Sequence, residues 1–144
     1  MNSGAPTMPY QIIDHTADFG LRVFGKNPES LFATAGRAMF DQICDPGDLT
    51  GDEALTLAVE GADWPDLMVN WLRELLYLWS GDGWLVRDVV VERICQNGLS
   101  ARLTADRFDS TRHRILSEIK AVTYHQIQVL AGAAGWEAVV IFDV

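Results

Sequence analysis

The sequence predicts a single α+β domain, roughly two helices packed on a largely antiparallel or mixed β-sheet. Three observations point there. Two stretches in the first half carry apolar residues at helical spacing, and the second half turns to alternating, β-branched runs around a hairpin signal. The length of 144 residues, 49 % of them hydrophobic, suits one core without a second domain.

Taken in order, residues 1–9 are small and polar and read as a disordered tail, leaving 10–144 as the folded domain. Residues 19–24, "FGLRVF", alternate as a strand. A helix follows, with Asn27 as N-cap, Pro28 in the first position and Glu29 favouring the dipole. Leu31, Phe32, Ala35, Met39 and Ile43 form its apolar face, and Pro46-Gly47 break it. Leu55, Leu57 and Val59 alternate in a half-buried strand. Asp63 caps the second helix and Pro65 sits in its first turn. Leu67, Met68, Trp71, Leu72, Leu75, Leu76 and Trp79 line one side of it, with Glu74 on the solvent side. "SGDG" ends it.

Two strands, "WLVRDVVVERIC" and "LSARLTADRF", flank "QNG". There Asn97-Gly98 predicts a type I′ turn with positive φ at both residues. Residues 106–114, of mixed sign, read as a solvated loop, and 113–130 as one bent strand or two. "AGAAG" is a turn. "WEAVVIFDV" is a last strand, antiparallel to "VTYHQIQV".

Composition narrows the function classes. The formal charge is −9, which disfavours strong direct nucleic-acid binding and suits a cation or a protein partner. Cys44 and Cys95 form no CxxC pair, so a structural zinc is not expected. The first residues lack the pattern of a signal peptide, and no apolar run approaches the ~18 residues of a membrane span. A cytoplasmic protein with reduced thiols is the expectation. No GxSxG, HExxH, phosphate-cradling glycine loop or dinucleotide fingerprint is present.

Three places carry chemistry. In "DHTADFG", Asp14 and Asp18 stand four apart around His15. This is either an Asx-type turn with a surface histidine or a pair of carboxylates offered to a hard cation, and the spacing leaves both open. In "EIKAVTYH", Lys120 and His125 are either outward-facing strand residues or, for Lys120, a cation poised over an acidic site. At the end of the chain, Asp143 and Val144 follow five apolar residues, Ala138 to Phe142, that anchor a strand. A solvated tail and a carboxylate cluster held beside Asp18 both remain open there.

"YQIIDHTADFGLRVFG", "NWLRELLYL", "EIKAVTYHQIQV" and "GWEAVVIFDV", in this order, resemble the archease family. The resemblance runs from about Tyr10 to Val144, with weaker stretches between. It implies an accessory protein without a reaction of its own. Such a protein promotes guanylylation and multiple turnover of an RtcB-type RNA ligase in tRNA splicing and RNA repair. The resemblance also implies a divalent metal, calcium by family, with magnesium or manganese as alternatives. Asp18 and Asp143 match ligands, Val144 matches a position giving main-chain oxygen, and Lys120 matches a lysine implicated in activation. Asp14 and His15 match the motif, Asp14 as an outer-sphere or structural partner. A chaperone-like modulator of a tRNA-modifying enzyme such as a methyltransferase is the second expectation. A metal-dependent hydrolase is a distant third, for want of a nucleophile with its base.

Overall fold

A computed structural model describes residues 9–14 and 18–144, without the side chain of Asp14. Among the described residues, seven strands and two long helices form two sheets with the helices between them, so the α+β class holds. Both sheets are wholly antiparallel. The strands are β1 (Tyr10–Asp14), β2 (Asp18–Gly25), β3 (Glu53–Glu60), β4 (Trp84–Cys95), β5 (Gly98–Arg107), β6 (Ala121–Gly132) and β7 (Gly135–Asp143). The helices are α1 (Pro28–Ile43) and α2 (Trp64–Ser80). One sheet has the order β1-β2-β7-β6, the other β3-β5-β4.

The helices form where local chemistry starts and stops them. Asn27 accepts from the Ser30 N–H at 2.8 Å, and the Ser30 hydroxyl reciprocates at the Asn27 N–H. Asp63 accepts from the Asp66 N–H at 2.9 Å. Phe32, Met39 and Ile43 on α1 and Leu67, Trp71 and Leu75 on α2 are fully buried, because each helix has a sheet on two sides. The buried Trp71 indole N–H is satisfied by the Phe32 carbonyl at 2.8 Å, which ties the two helices together. Among the described residues no helix is long and apolar enough to cross a membrane.

Three details differ from the sequence reading. Residues 10–14 form an edge strand, anchored by the Tyr10 hydroxyl donating to Asp41 on α1 at 3.1 Å. The β4–β5 hairpin is present with Cys95 opposite Gly98, but neither Asn97 nor Gly98 has positive φ, so the turn is not type I′. The reason is tertiary. The Asn97 side chain donates to the Gly61 and Ala62 carbonyls at 3.2 and 3.0 Å, and its own carbonyl accepts from the Gly61 N–H. Those bonds fix the turn against the entry to α2.

Third, the loop read as solvated is partly buried. Asp106 and His113 are each only 4 % exposed. Asp106 accepts from the Thr50 and Gly51 N–H groups, the Thr50 hydroxyl and Arg112. His113 Nδ1 accepts from the Asp109 N–H at 3.0 Å, so Nε2 carries the proton and donates to Asp106 at 3.3 Å. Of the two alternatives open for residues 113–130, one strand or two, the structure has one, β6. Residues 114–120 lie outside the named strands and touch the end of α1, through an isolated antiparallel bridge between Ile115 and Cys44 and the Leu116 N–H bonded to the Ile43 carbonyl. Cys44 and Cys95 are both free thiols.

Candidate metal and partner site at one sheet end

The first sheet presents one face to the helices and the other away from them. Alternation along β7 sends Ala138, Val140 and Phe142 into the core. Val139, Ile141 and Asp143 therefore point outward. Phe142 is fully buried and stacks on its cross-strand partner Phe19 at 5.1 Å between ring centroids. This aromatic pair fastens the ends of β2 and β7 together, one residue short of the two acids.

Register then decides the site. Asp18 lies directly opposite Asp143, and Ala121 lies opposite Asp143 on the other side. Residues paired this way project to the same face with Cβ atoms about 4.5–5.5 Å apart. The Lys120 N–H donates to the Asp143 carbonyl at 2.8 Å, which ties the backbone of Lys120 to the same point while its side chain is exposed. Val144 follows, 46 % exposed. Three distant segments thus converge at one sheet end and bring Asp18, Lys120, Asp143 and Val144 together. Asp14 pairs through its backbone with Phe19 at the end of β1, but its side chain, and all of His15, lie outside the described residues.

Two like charges directly opposite across a strand pair destabilise it. A hard divalent ion offsets that repulsion and takes oxygen donors, so two facing carboxylates fit one. Among the described residues no three His, Cys, Asp or Glu side chains gather into a set for a metal. A fuller oxygen set therefore needs main-chain oxygen, such as that of Val144.

Sequence reasoning missed the brace on β6. Arg73 of α2 donates through Nε to the Val122 carbonyl at 3.1 Å, and its guanidinium lies 4.7 Å from the Tyr124 ring centre. The Tyr124 hydroxyl donates to Asp66 at 2.7 Å, and this bond holds the Asp66 carboxyl below its usual range. The brace fixes the start of β6, two residues from Lys120. Its only sequence signal was an arginine on the polar side of α2. Glu74 is exposed, as expected, and so is His125.

The comparisons with known proteins agree with this fold. Residues 10–144 match the model of the Archease protein family. The chain is 37 % identical to protein archease of Methanosarcina barkeri over 139 residues, covering 94 % of this chain and 95 % of that protein. It is 34 % identical to protein archease of Methanopyrus kandleri, covering 94 % and 99 %. The solution structure of Methanobacterium thermoautotrophicum protein 1598 superposes with a TM-score of 0.78 at 26 % identity, covering 94 % of this chain and 99 % of that one. The crystal structure of a Thermotoga maritima archease, described as a possible chaperone, shares the fold with a TM-score of 0.62 at 21 % identity, covering 92 % and 94 %. With the family model spanning nearly the whole chain and relatives above 30 % identity along its length, this protein belongs to the archease family.

Proposed function

We propose that this protein is a metal-binding activator of an RtcB-type RNA ligase, promoting guanylylation of the ligase histidine and multiple turnover in tRNA splicing and RNA repair. The observation that carries the reading is the register of Asp18 against Asp143, with the Lys120 backbone bonded to Asp143. In this reading Asp18 and Asp143, with main-chain oxygen from Val144, hold a divalent ion, calcium by family and magnesium or manganese as alternatives. Bound there, the ion supplies positive charge against phosphate oxygens. Lys120, exposed and tied by its backbone N–H to Asp143, steadies nucleotide phosphates or a carboxylate of the partner in this reading. The Phe19–Phe142 stack and the Arg73 brace keep these groups from drifting apart. The protein acts as an accessory factor in the cytoplasm, and its net charge of −9 suits a basic protein partner more than RNA.

The test is ligase guanylylation with GTP and manganese, with and without this protein. Asp18→Ala and Asp143→Ala should each abolish the stimulation while the fold persists. Stimulation equal to wild type by both variants sinks the reading.

A second reading, a chaperone-like modulator of a tRNA-modifying enzyme, draws on the exposed Ile12 and Leu130, 57 % and 58 % accessible. It predicts that a tRNA methyltransferase is protected from aggregation equally well by the wild type and by Asp143→Ala.

A further inference from the structure

Among the described residues the two sheets have four edge strands, and three of them resist further pairing. β1 is only five residues long. β4 carries register shifts at Val86/Asp88 and Val91/Arg93, and Arg37 of α1 donates to its Val89 carbonyl at 3.2 Å. β6 gives its Val122 carbonyl to Arg73 and then buckles. Between the pairs Thr123–Ile141 and Gln128–Val139, four residues of β6 oppose one of β7, so Tyr124, His125 and Gln126 stand out as an exposed knuckle. The Thr123 hydroxyl pins it, donating to the Ile141 carbonyl at 3.0 Å and accepting from the His125 N–H at 3.2 Å. Gln126 has φ of 55°, the sole non-glycine with positive φ among the described residues. Short strands and bulges of this kind keep a sheet edge from pairing with another chain.

β3 is the exception. Its eight residues, Glu53–Glu60, pair one for one with β5 and without a shift. Two bonds show which backbone groups it leaves over. In an antiparallel ladder, directly opposite residues alternate between exchanging both hydrogen bonds and exchanging none. The Gly61 N–H donates to the Asn97 carbonyl at 3.0 Å, and this pair continues the register of Glu60 opposite Gly98. The β3 residues bonded to β5 are therefore the odd-numbered ones. Ala54, Thr56, Ala58 and Glu60 turn N–H and carbonyl away from β5. Asn70 of α2 fits the same phase, donating to the Glu60 carbonyl at 2.9 Å. Among the described residues no hydrogen bond reaches the outward groups of Ala54, Thr56 and Ala58.

One end of this edge opens on a cleft of about 260 Å³ lined by Ala58, Val59, Glu60, Asn70, Arg73 and Glu74. Leu55 and Leu57, on the inner face of the strand, stay only half-buried, while Ala54, Thr56 and Ala58 on the other face are exposed and uncharged. Glu53 and Glu60 stand exposed at the two ends and Glu74 in the cleft. None of these three enters a salt bridge among the described residues. Arg73 is already held toward β6 by the Val122 carbonyl and the Tyr124 ring. A second copy of the chain fits poorly. Two β3 strands overlapping antiparallel along their full length would set Glu53 opposite Glu60 at both ends, and like charges directly opposite destabilise a pair. We propose that the β3 edge takes up an extended segment of a partner protein by antiparallel strand addition, a segment that alternates apolar and polar residues between basic ends. Its main chain bonds Ala54, Thr56 and Ala58, and its apolar side chains extend the row of Leu55 and Leu57. Its lysines or arginines meet Glu53 at one end and Glu60 with Glu74 at the other. The proposal is independent of the candidate metal site and of the activator reading.

Amide hydrogen exchange of the full chain, read residue by residue by NMR, tests it with the capped peptide Lys-Val-Thr-Val-Thr-Val-Thr-Lys. In the free protein the Ala54, Thr56 and Ala58 amides should exchange fast, and those of Leu55, Leu57 and Val59 slowly. Peptide at about 1 mM, which fills about nine-tenths of a site with Kd near 0.1 mM, should slow the first three about tenfold. The peptide with glutamate for both lysines should not, and neither should the peptide N-methylated at its threonines, whose amides face β3. Thr56→Pro removes one outward N–H without touching the β5 ladder and should abolish the protection at Ala54 and Ala58. Glu60→Lys combined with Glu74→Lys leaves the backbone intact, so it carries the test if the proline variant does not fold. It should weaken peptide binding about fivefold or more. Amides that the peptide leaves unprotected, or equal protection by either control peptide, overturn the proposal. So does unchanged binding by the lysine variant. Ala54, Thr56 and Ala58 amides already slow in the free protein overturn it too. If that slowing grows with protein concentration, the occupant is a second copy, and if it does not, the chain covers its own edge.

Discussion

Asp106 is the side chain that most clearly ties a local charge to the stability of the whole chain. Burial alone raises a carboxyl, but here the Thr50 and Gly51 N–H groups and His113 outweigh it and hold Asp106 below its ordinary value. A depressed carboxyl contributes stability that is complete above the unfolded value near 3.9 and lost as pH falls through the lower folded value. Urea unfolding of the wild type should therefore steepen its loss of stability below about pH 4, and Asp106→Asn should flatten that part of the profile. The same variant should be less stable at pH 7 by several kcal/mol, given about 1–3 kcal/mol for each buried donor left unpaired. Equal pH profiles for the two proteins would show that the Asp106 network does not set acid stability. None of this was legible beforehand. Asp106 and His113 sit in a run of mixed charges, and the partners of Asp106, Thr50 and Gly51, come from more than fifty residues away. Local composition carries no trace of such a contact.

At the scale of elements, legibility follows how local the cause is. The two long helices could be read from Asn27, Asp63, the prolines and the apolar stripes, because capping and periodicity act within a few residues. β7 could be read from its apolar run. The edge strand β1 could not, since Tyr10–Asp14 has little alternation and is held by Asp41 on α1. Nor could the β6 knuckle, which four consecutive polar or aromatic residues, Thr123 to Gln126, conceal inside a β-branched run. The knuckle yields a prediction of its own. Thr123→Val keeps the shape and removes the hydroxyl that bonds Ile141 and His125. It should cost about 1–2 kcal/mol and speed hydrogen exchange at the His125 amide selectively. Gln126→Gly, suited to φ of 55°, should leave thermal stability level or slightly higher, by up to about 1 kcal/mol. A clear loss in Gln126→Gly would mean that the side chain, not the backbone turn, holds the knuckle.

For the whole molecule, the candidate site is a matter of register. Sequence spacing put Asp18 and Asp143 in separate segments with two readings each, and the resemblance to archeases pointed to their joint use. Their meeting depends on β2 and β7 being neighbours, which the Phe19–Phe142 stack and the apolar faces of both strands enforce. Facing carboxylates make the sign of one experiment depend on the cation. In chelator, Asp143→Asn removes a like-charge pair and should raise stability slightly, by about 0.2–1 kcal/mol. In calcium the order should reverse. The wild type gains RT ln(1 + [L]/Kd), about 2.7 kcal/mol at a hundredfold excess over Kd, while Asp143→Asn gains far less. Melting curves of the two proteins in chelator and in calcium therefore should cross over. A variant less stable than wild type in both solutions would mean that Asp143 is an ordinary structural carboxylate. A variant more stable in both would mean that calcium does not bind the folded pair. Only the crossover fits a site in which the strand register stores repulsion that a bound cation relieves.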